Sequence, residues 1–272
     1  MSNAPYHVRP ARGQRTPLLL SIPHTGTEVP AGLGPRLASG TVAALPDTDW
    51  HLHELYDFAP ELGATTVFSR YTRYAVDLNR PRSRQSLYPG QTETGLVPTE
   101  TFAGEAIYRA GDEPMAAEIE DRVRRYWQPY HDRLAEELRS LQREFGYALL
   151  FDAHSIAGFV PRLHPDPLPD LMLGDVDGTS CDAALSDAVL AVQQRSGYRA
   201  TRNFRFKGGH ITRAYGRPAE AVHALQLEMS QRIYMREAAG APLDIELAER
   251  LRPVLRASLQ AFLAAGRALR PG

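Results

Sequence analysis

Short apolar runs bounded by turn residues alternate along this chain with longer segments whose apolar positions recur every three or four residues. Tyr147-Ala148-Leu149-Leu150-Phe151 follows Gly146 and reads as a buried strand that ends at Asp152-Ala153-His154-Ser155. Residues 16–22 form a second such run, stopped by Pro23, Gly26 and Pro30. Residues 64–69 read as another strand. So do residues 71–78, with Arg73, Ala75 and Asp77 on one face and Tyr74, Val76 and Leu78 on the other. Residues 221–229 alternate as a strand, and 198–206 are a further candidate. Helical spacing links Leu52, Leu55, Phe58 and Leu62, with Asp47 or Thr48 as N-cap and Gly63 as the stop. A longer stripe runs from Ile119 through Val123, Trp127, Tyr130, Leu134, Leu138 and Leu141 to Phe145, with a kink expected at Pro129 and a cap at Gly146. Two more helices are predicted over 182–196 and 244–269, the latter kinked at Pro253. Residues 1–14 read as a flexible arm, 82–112 and the stretch after His154 to about Thr179 as loops, and 206–212 as a glycine-flanked turn. Five or six strands with helices between and around them predict one three-layer α/β domain spanning 1–272.

Several polar side chains fall beside the predicted strand ends. They are His24, the group Asp77, Asn79 and Arg80, His154, and Glu228, with Asp49 on a helix start. Ligands of open α/β sheets bind outside the carboxyl ends of strands. Two imidazoles and one carboxylate make the ligand set of many hydrolytic zinc sites, which leave one position for water. Zinc lowers the pKa of that water and polarises a carbonyl. Plainer readings stand beside these: His154 as a hydrogen-bonded core histidine, Asp49 as a first-turn acid favoured by the helix dipole, Glu228 as a strand-end surface acid.

Charge and cysteine content narrow the setting. The 31 basic and 32 acidic residues leave a net charge of −1, which gives no reason to expect nucleic acid or an anionic membrane as partner. Cys181 stands alone, so neither an intrachain disulfide nor a thiolate zinc cluster is possible. The first residues lack a signal-peptide pattern, and no apolar stretch approaches the ~20 residues needed to span a bilayer. The expectation is a cytoplasmic protein with a small-molecule substrate. No Gly-x-Ser-x-Gly elbow surrounds Ser155, which argues against a serine hydrolase.

Six segments, in order over about residues 15–237, carry a resemblance. They are Ser21-Ile22-Pro23-His24-Thr25-Gly26-Thr27, Asp47-Thr48-Asp49-Trp50-His51, Arg73-Tyr74-Ala75-Val76-Asp77-Leu78-Asn79-Arg80-Pro81, Asp152-Ala153-His154-Ser155, Phe206-Lys207-Gly208-Gly209-His210-Ile211-Thr212 and Gln226-Leu227-Glu228-Met229. Together they resemble the N-formylglutamate amidohydrolases. The resemblance implies a phosphorylase/hydrolase-like α/β fold with a mixed sheet, related to zinc carboxypeptidases and aspartoacylases. It also implies a zinc-dependent hydrolase that converts N-formyl-L-glutamate and water to formate and L-glutamate, the last step of one route of histidine degradation.

Carried over by position, the resemblance implies His24 and His154 as imidazole ligands of one zinc ion. Carboxypeptidases use His-x-x-Glu, whereas this chain has Thr27 at that offset; Asp49 is therefore favoured as the carboxylate ligand, with Glu28 as the alternative. Glu228 resembles the general base, and Asp152 an orienting partner of the site. A dicarboxylate substrate calls for cations. Asn79 and Arg80 resemble the substrate-holding pair of aspartoacylases. Arg73 or Arg80 is a candidate to polarise the scissile carbonyl, and Lys207, His210 and Arg213 are further anion-binding candidates around the glycine turn, where backbone N–H groups can approach an anion. His51, His53, His131, His164 and His223 read as structural, with His51 a possible partner of Asp49. Two other functions stay open: hydrolysis of another N-acyl amino acid or short peptide at the same zinc site, and metal-free binding of carboxylates without catalysis.

Overall fold

The apolar runs pair into one mixed seven-stranded sheet in the order β1-β3-β2-β4-β7-β5-β6. The structure is a computed structural model and describes residues 4–269. The strands are β1 (Tyr6–Arg9), β2 (Leu18–Ile22), β3 (Thr65–Ser69), β4 (Ala148–Ile156), β5 (Leu171–Gly174), β6 (Ala200–Arg202) and β7 (Val222–Ser230). Strands β3, β2, β4 and β7 run parallel, while β1 and β5 pair antiparallel to β3 and β7. The helices are α1 (Gly40–Ala43), α2 (Leu52–Leu55), α3 (Ala116–Arg122), α4 (Gln128–Phe145), α5 (Ala183–Gln194), α6 (His210–Tyr215) and α7 (Ile245–Ala268).

Alternation along the central strands sends apolar side chains to both faces, as expected of parallel strands covered on each side. Leu149, Phe151, Leu225 and Leu227 pack with Leu185 and Val189 of α5 and Leu251, Leu255, Leu259 and Phe262 of α7. Ala148, Leu150, Val222 and Ala224 pack with Tyr130, Leu134, Leu138 and Leu141 of α4. Each fully buried Leu or Phe of this kind stabilises by roughly 1.5–3 kcal/mol. No helix of the described residues is long and apolar enough to cross a membrane.

The second face changes character along its length. On β2 it reads Leu19 then Ser21; on β4, Ala148 and Leu150, then Asp152 and His154; on β7, Val222 and Ala224, then Gln226 and Glu228. Register sets these side by side, with Ser21 opposite Asp152, Asp152 opposite Gln226 and His154 opposite Glu228. The carboxyl ends of three adjacent strands thus carry the polar groups. From β2 the chain crosses to β3 on one side and later to β4 on the other, so the crevice between β2 and β4 is the topological switch point where such sheets bind ligands.

Several local expectations change. Residues 71–78 are turns and irregular backbone, not a strand. Arg73 and Asp77 form an ion pair at 2.7 Å, whereas residues four apart on a strand lie roughly 13 Å from each other. Tyr6–Arg9, expected within a flexible arm, is the edge strand paired to β3; residues 1–3 of that arm lie outside the described residues. The helix expected behind Asp47 breaks into α2 and a 3-10 turn at Ala59–Leu62, because Pro60 has no N–H to continue it. Asp47 caps nothing there; its carboxylate accepts from Tyr74 Oη at 3.0 Å and from the Phe102 amide. Pro129 is accommodated by a π-helical turn at Val123–Trp127. The region after His154 contains β5, and the glycine turn leads into α6.

Candidate metal centre

β4 runs four residues beyond Ala148-Leu149-Leu150-Phe151-Asp152, so His154 projects from within the strand rather than past its end. His24 follows β2, and the Asp49 amide donates to the His24 carbonyl at 3.1 Å, which ties the Asp49 loop to the same crevice. One ligand atom from each of His24, Asp49 and His154 lies within 4.8 Å of the others, and all three residues are buried. His154 Nδ1 and the Ser155 amide each lie 3.2 Å from Asp49 Oδ2, and His24 Nδ1 lies 3.7 Å from it.

The far nitrogens of both imidazoles are already committed. His24 Nε2 donates to Asp77 Oδ1 at 2.8 Å, and His154 Nε2 donates to Asp152 Oδ2 at 2.7 Å. A neutral imidazole with its proton on Nε2 has a lone pair on Nδ1, the tautomer a metal needs. Asp49 Oδ1 is buried without a hydrogen-bond partner, with Arg73 Nη1 3.7 Å away. Two convergent imidazole nitrogens and an unpartnered carboxylate oxygen fit a zinc-type cation.

The carboxylates are themselves held. Asp77 also accepts from Arg73 Nη2 at 2.7 Å and from the Asn79 amide at 2.8 Å. Asp152 accepts from Ser21 Oγ at 2.7 Å, and Ser21 Oγ lies 3.0 Å from Tyr130 Oη of α4. Burial alone would raise the Asp77 carboxyl; Arg73, His24 and Arg80 hold it well below the usual range. Asp49 behaves likewise, with burial outweighed by His154 and His24. For His154 burial opposes the charge, yet Asp152 and Asp49 on its two nitrogens raise the imidazole well above its ordinary value. Glu228, opposite His154 on β7, is buried and pushed up to about 8 by desolvation, with the nearby Asp49 charge acting in the same direction.

A cavity of about 50 Å³ is lined by His24, Asp49, Arg73, Asn79, Arg80, His154, Arg205, Gln226 and Glu228 among others. The structure thus brings together seven of the residues singled out in the sequence. Glu28 stands apart, exposed and paired with Arg70 at 2.7 Å. Lys207 pairs with Asp177 at 3.0 Å; the His210 ring packs 5.6 Å from Trp127; Arg213 Nε donates to the Gly208 carbonyl at 2.9 Å. None of these three lines the cavity. Three amides of the turn are spoken for: Gly209 N donates to Gln226 Oε1 at 2.7 Å, Ile211 N to Asn79 Oδ1 at 2.8 Å and His210 N to the Asn79 carbonyl at 3.2 Å. A Cβ on Gly209 would sit 2.2 Å from Asn79 Nδ2, so the glycine serves the close packing of this turn on Asn79 rather than an anion. His51 bonds Glu54 and the Ala241 carbonyl, not Asp49. Reading the sequence missed Asp77 as the partner of His24, and Arg205 and Gln226 as cavity walls. Alternation along β7 beside Glu228 was the available signal for Gln226.

Residues 16–235 match the N-formylglutamate amidohydrolase family. The chain is 50% identical over 257 residues to N-formylglutamate deformylase of Pseudomonas aeruginosa, covering 93% of this chain and 95% of that protein. It is 45% identical over 253 residues to N-formylglutamate deformylase of Pseudomonas putida, covering 93% and 94%. Among solved structures, the crystal structure of N-formylglutamate amidohydrolase from Ralstonia eutropha JMP134 superposes with a TM-score of 0.84 at 27% identity, covering 98% of this chain and 100% of that one.

Proposed function

The chain belongs to the N-formylglutamate amidohydrolase family and is a hydrolase acting on an amide; from that premise we propose that it cleaves N-formyl-L-glutamate to formate and L-glutamate with one zinc ion, as a single catalytic domain. The non-catalytic reading as a carboxylate-binding protein falls away with that membership. The observation that carries the zinc assignment is the convergence of His24, Asp49 and His154 within 4.8 Å, each imidazole backed by its own carboxylate. We assign the reaction to the end of one route of histidine degradation, the role the family resemblance implies, and place it in the cytoplasm, as composition and the single cysteine suggest.

His24, Asp49 and His154 would hold the ion, which when bound polarises the formyl carbonyl and makes water more acidic. Glu228 takes a proton from the attacking water as the oxygen joins the formyl carbon. It then delivers that proton to the glutamate nitrogen as the C–N bond breaks. A carboxyl pushed up towards neutrality suits both transfers. Arg73 is held beside Asp49 by Asp77 and by the Asp47 carbonyl, and presents fixed positive charge to the oxygen on which negative charge develops.

A second reading has its own support. An apolar cavity of about 490 Å³, lined by Phe102, Ile156, Phe159 and Val160 among others, shares Phe102 and Ile156 with the catalytic cavity. It favours acceptance of a bulkier acyl group. One panel tests both: acid release from N-formyl, N-acetyl and longer N-acyl glutamates, with zinc and after chelation. Activity that survives complete chelation removes zinc from the proposal, and faster turnover of a longer acyl group selects the second reading.

A further inference from the structure

Of the three guanidiniums that line the catalytic cavity, Arg73 is the one with protein carboxylates beside it, Asp77 at 2.7 Å and Asp49 at 3.7 Å. Arg205 is half-buried on the loop between β6 and α6. Its Nε donates to the Leu163 carbonyl at 3.1 Å and its Nη2 to the Thr92 carbonyl at 2.7 Å. The guanidinium stacks over Tyr88 and Phe206, 5.5 and 5.3 Å from their ring centres. Arg80 is bound the same way, through Nε to the Thr94 carbonyl at 2.7 Å, Nη1 to the Asn79 carbonyl at 3.2 Å and Nη2 to Thr94 Oγ1 at 3.3 Å. Neither has a carboxylate within ion-pair distance among the described residues. Glu93 also lines the cavity, its carboxylate accepting from the Leu87 amide at 3.3 Å.

Two cations whose hydrogen bonds in the cavity go to neutral acceptors are fixed in place without an ion-pair partner, although the Glu93 and Glu228 charges act on Arg205 from farther off. Burial, with the Arg80 charge adding to it, pushes the Arg205 guanidinium below its ordinary value. Both therefore favour an incoming anion. Resting on the amide-hydrolase reading of the neighbouring centre, we propose that Arg205 is the specificity residue for an acidic side chain. It receives the γ-carboxylate of the substrate while Arg80 receives the α-carboxylate. The assignment follows from position. Arg80 adjoins Asn79, whose Nδ2 lies 3.0 Å from His154 Nε2, so it stands beside the reacting centre, and the α-carboxylate is attached to the carbon bearing the scissile nitrogen. Arg205 is anchored instead to the segments carrying Thr92 and Leu163, where the longer arm of the substrate would reach.

The test compares N-formyl-L-glutamate with its neutral isostere N-formyl-L-glutamine. A charge-assisted, forked contact to a carboxylate predicts roughly 100-fold preference for glutamate in kcat/KM. In Arg205→Met the glutamate-to-glutamine ratio collapses towards 1, chiefly through KM on glutamate. Arg205→Lys retains part of the ratio, and Arg80→Met slows both substrates while keeping it. The ratio is independent of the folded fraction, so a poorly folding variant still reports. An unchanged ratio in Arg205→Met, or no preference in the wild type, overturns the proposal. If the wild type releases formate from neither substrate, the deformylase reading fails. The subsite is then judged by calorimetry: wild-type protein must bind glutarate more tightly than pentanoate, and Arg205→Met must lose that difference. Equal binding of the two acids by the wild type overturns it.

Discussion

Asp152 Oδ2 accepts a hydrogen bond from His154 Nε2–H at 2.7 Å and is fully buried, so its replacement tests whether this imidazole serves as a zinc ligand. In Asp152→Asn the amide has two orientations. With its NH₂ in the place of Oδ2 it would face two donors, His154 Nε2 and Asn79 Nδ2. With its oxygen there, the NH₂ meets Ser21 Oγ, which can turn to accept while donating to Tyr130 Oη. The second orientation is preferred, so the asparagine keeps the Nε2–H tautomer and loses only the negative charge. A hydrogen bond to a charged group is worth about 1.5–3 kcal/mol and a neutral one about 0.5–1.5. The difference, about 1–1.5 kcal/mol, is roughly a 5- to 12-fold loss of zinc affinity. Asp152→Ala removes the acceptor altogether and releases the tautomer, which predicts a loss towards 100-fold. Competition with a chromophoric chelator at pH 8 measures both constants, with circular dichroism and thermal melts as the check on folding. Two folded variants with wild-type zinc affinity would refute the role of Asp152, and an asparagine variant weaker than the alanine one would refute the orientation argument.

Glu228→Gln should keep zinc affinity within a few-fold and lower kcat by roughly 10²–10⁴, the usual contribution of a positioned base. Because the base works ionised, kcat/KM of the wild type should rise with pH through the Glu228 titration, raised to about 8 by burial and drawn lower when a divalent cation is bound nearby. A pH profile in which the glutamine variant keeps the same acid limb assigns that limb to another group. His131 is buried against Trp127, with Nε2 2.8 Å from the Leu78 carbonyl, and desolvation lowers its pKa to about 3. The unfolded chain then takes up a proton below about 6.5 that the folded one refuses, so this residue costs stability as pH falls from 6.5 towards 3. The loss is about 1.6 kcal/mol between pH 6.5 and 5, less than the full 1.36 kcal/mol per unit because the unfolded histidine is half protonated at 6.5. Urea titrations of wild type and His131→Gln at both pH values should show the variant losing about that much less; equal losses would mean His131 does not titrate in this window.

What the sequence revealed depended on how local the cause was. The apolar runs of β2, β4 and β7 and the helix starts at 182 and 244, where Asp182 and Asp244 prove to be the caps, were legible because each depends on neighbours a few residues away. Residues 71–78 alternate as a strand would, yet fold as a buried loop, because the Asp77 carboxylate gathers Arg73, His24 and the Asn79 amide. Nothing in the spacing announces a contact across 53 residues. Asp49 was legible as a carboxylate near a histidine but not in its setting; the backbone bond to His24, not a helix start, positions it. Arg205 was invisible for the same reason, since its surroundings come from Thr92 and Leu163. The glycines at 208 and 209 drew attention to an anion site, whereas the Gly209 amide bonds Gln226 and its space admits Asn79, and Gly208 packs against Val176 and Thr212.

The charge carried by the site gives the zinc proposal its remaining argument. Asp49, Asp77, Asp152 and Glu228 are buried around one buried guanidinium, Arg73, and uncompensated buried charge costs several kcal/mol per ion. Without a cation the protein relieves this with protons. That is why the His154 imidazole is raised well above its ordinary value and Glu228 is pushed up to about 8. A divalent ion held by His24, Asp49 and His154 would supply the missing positive charge. With it bound, His154 would give up its imidazole proton and Glu228 would hold its own less tightly. On this reading the same event that fills the site also frees the base, so a protein stripped of metal lacks both the Lewis acid and a carboxylate ready to accept a proton at neutral pH. Loss of activity on chelation should therefore exceed the loss from Glu228→Gln in the loaded enzyme while circular dichroism stays unchanged; a purely structural ion would lose fold and activity together.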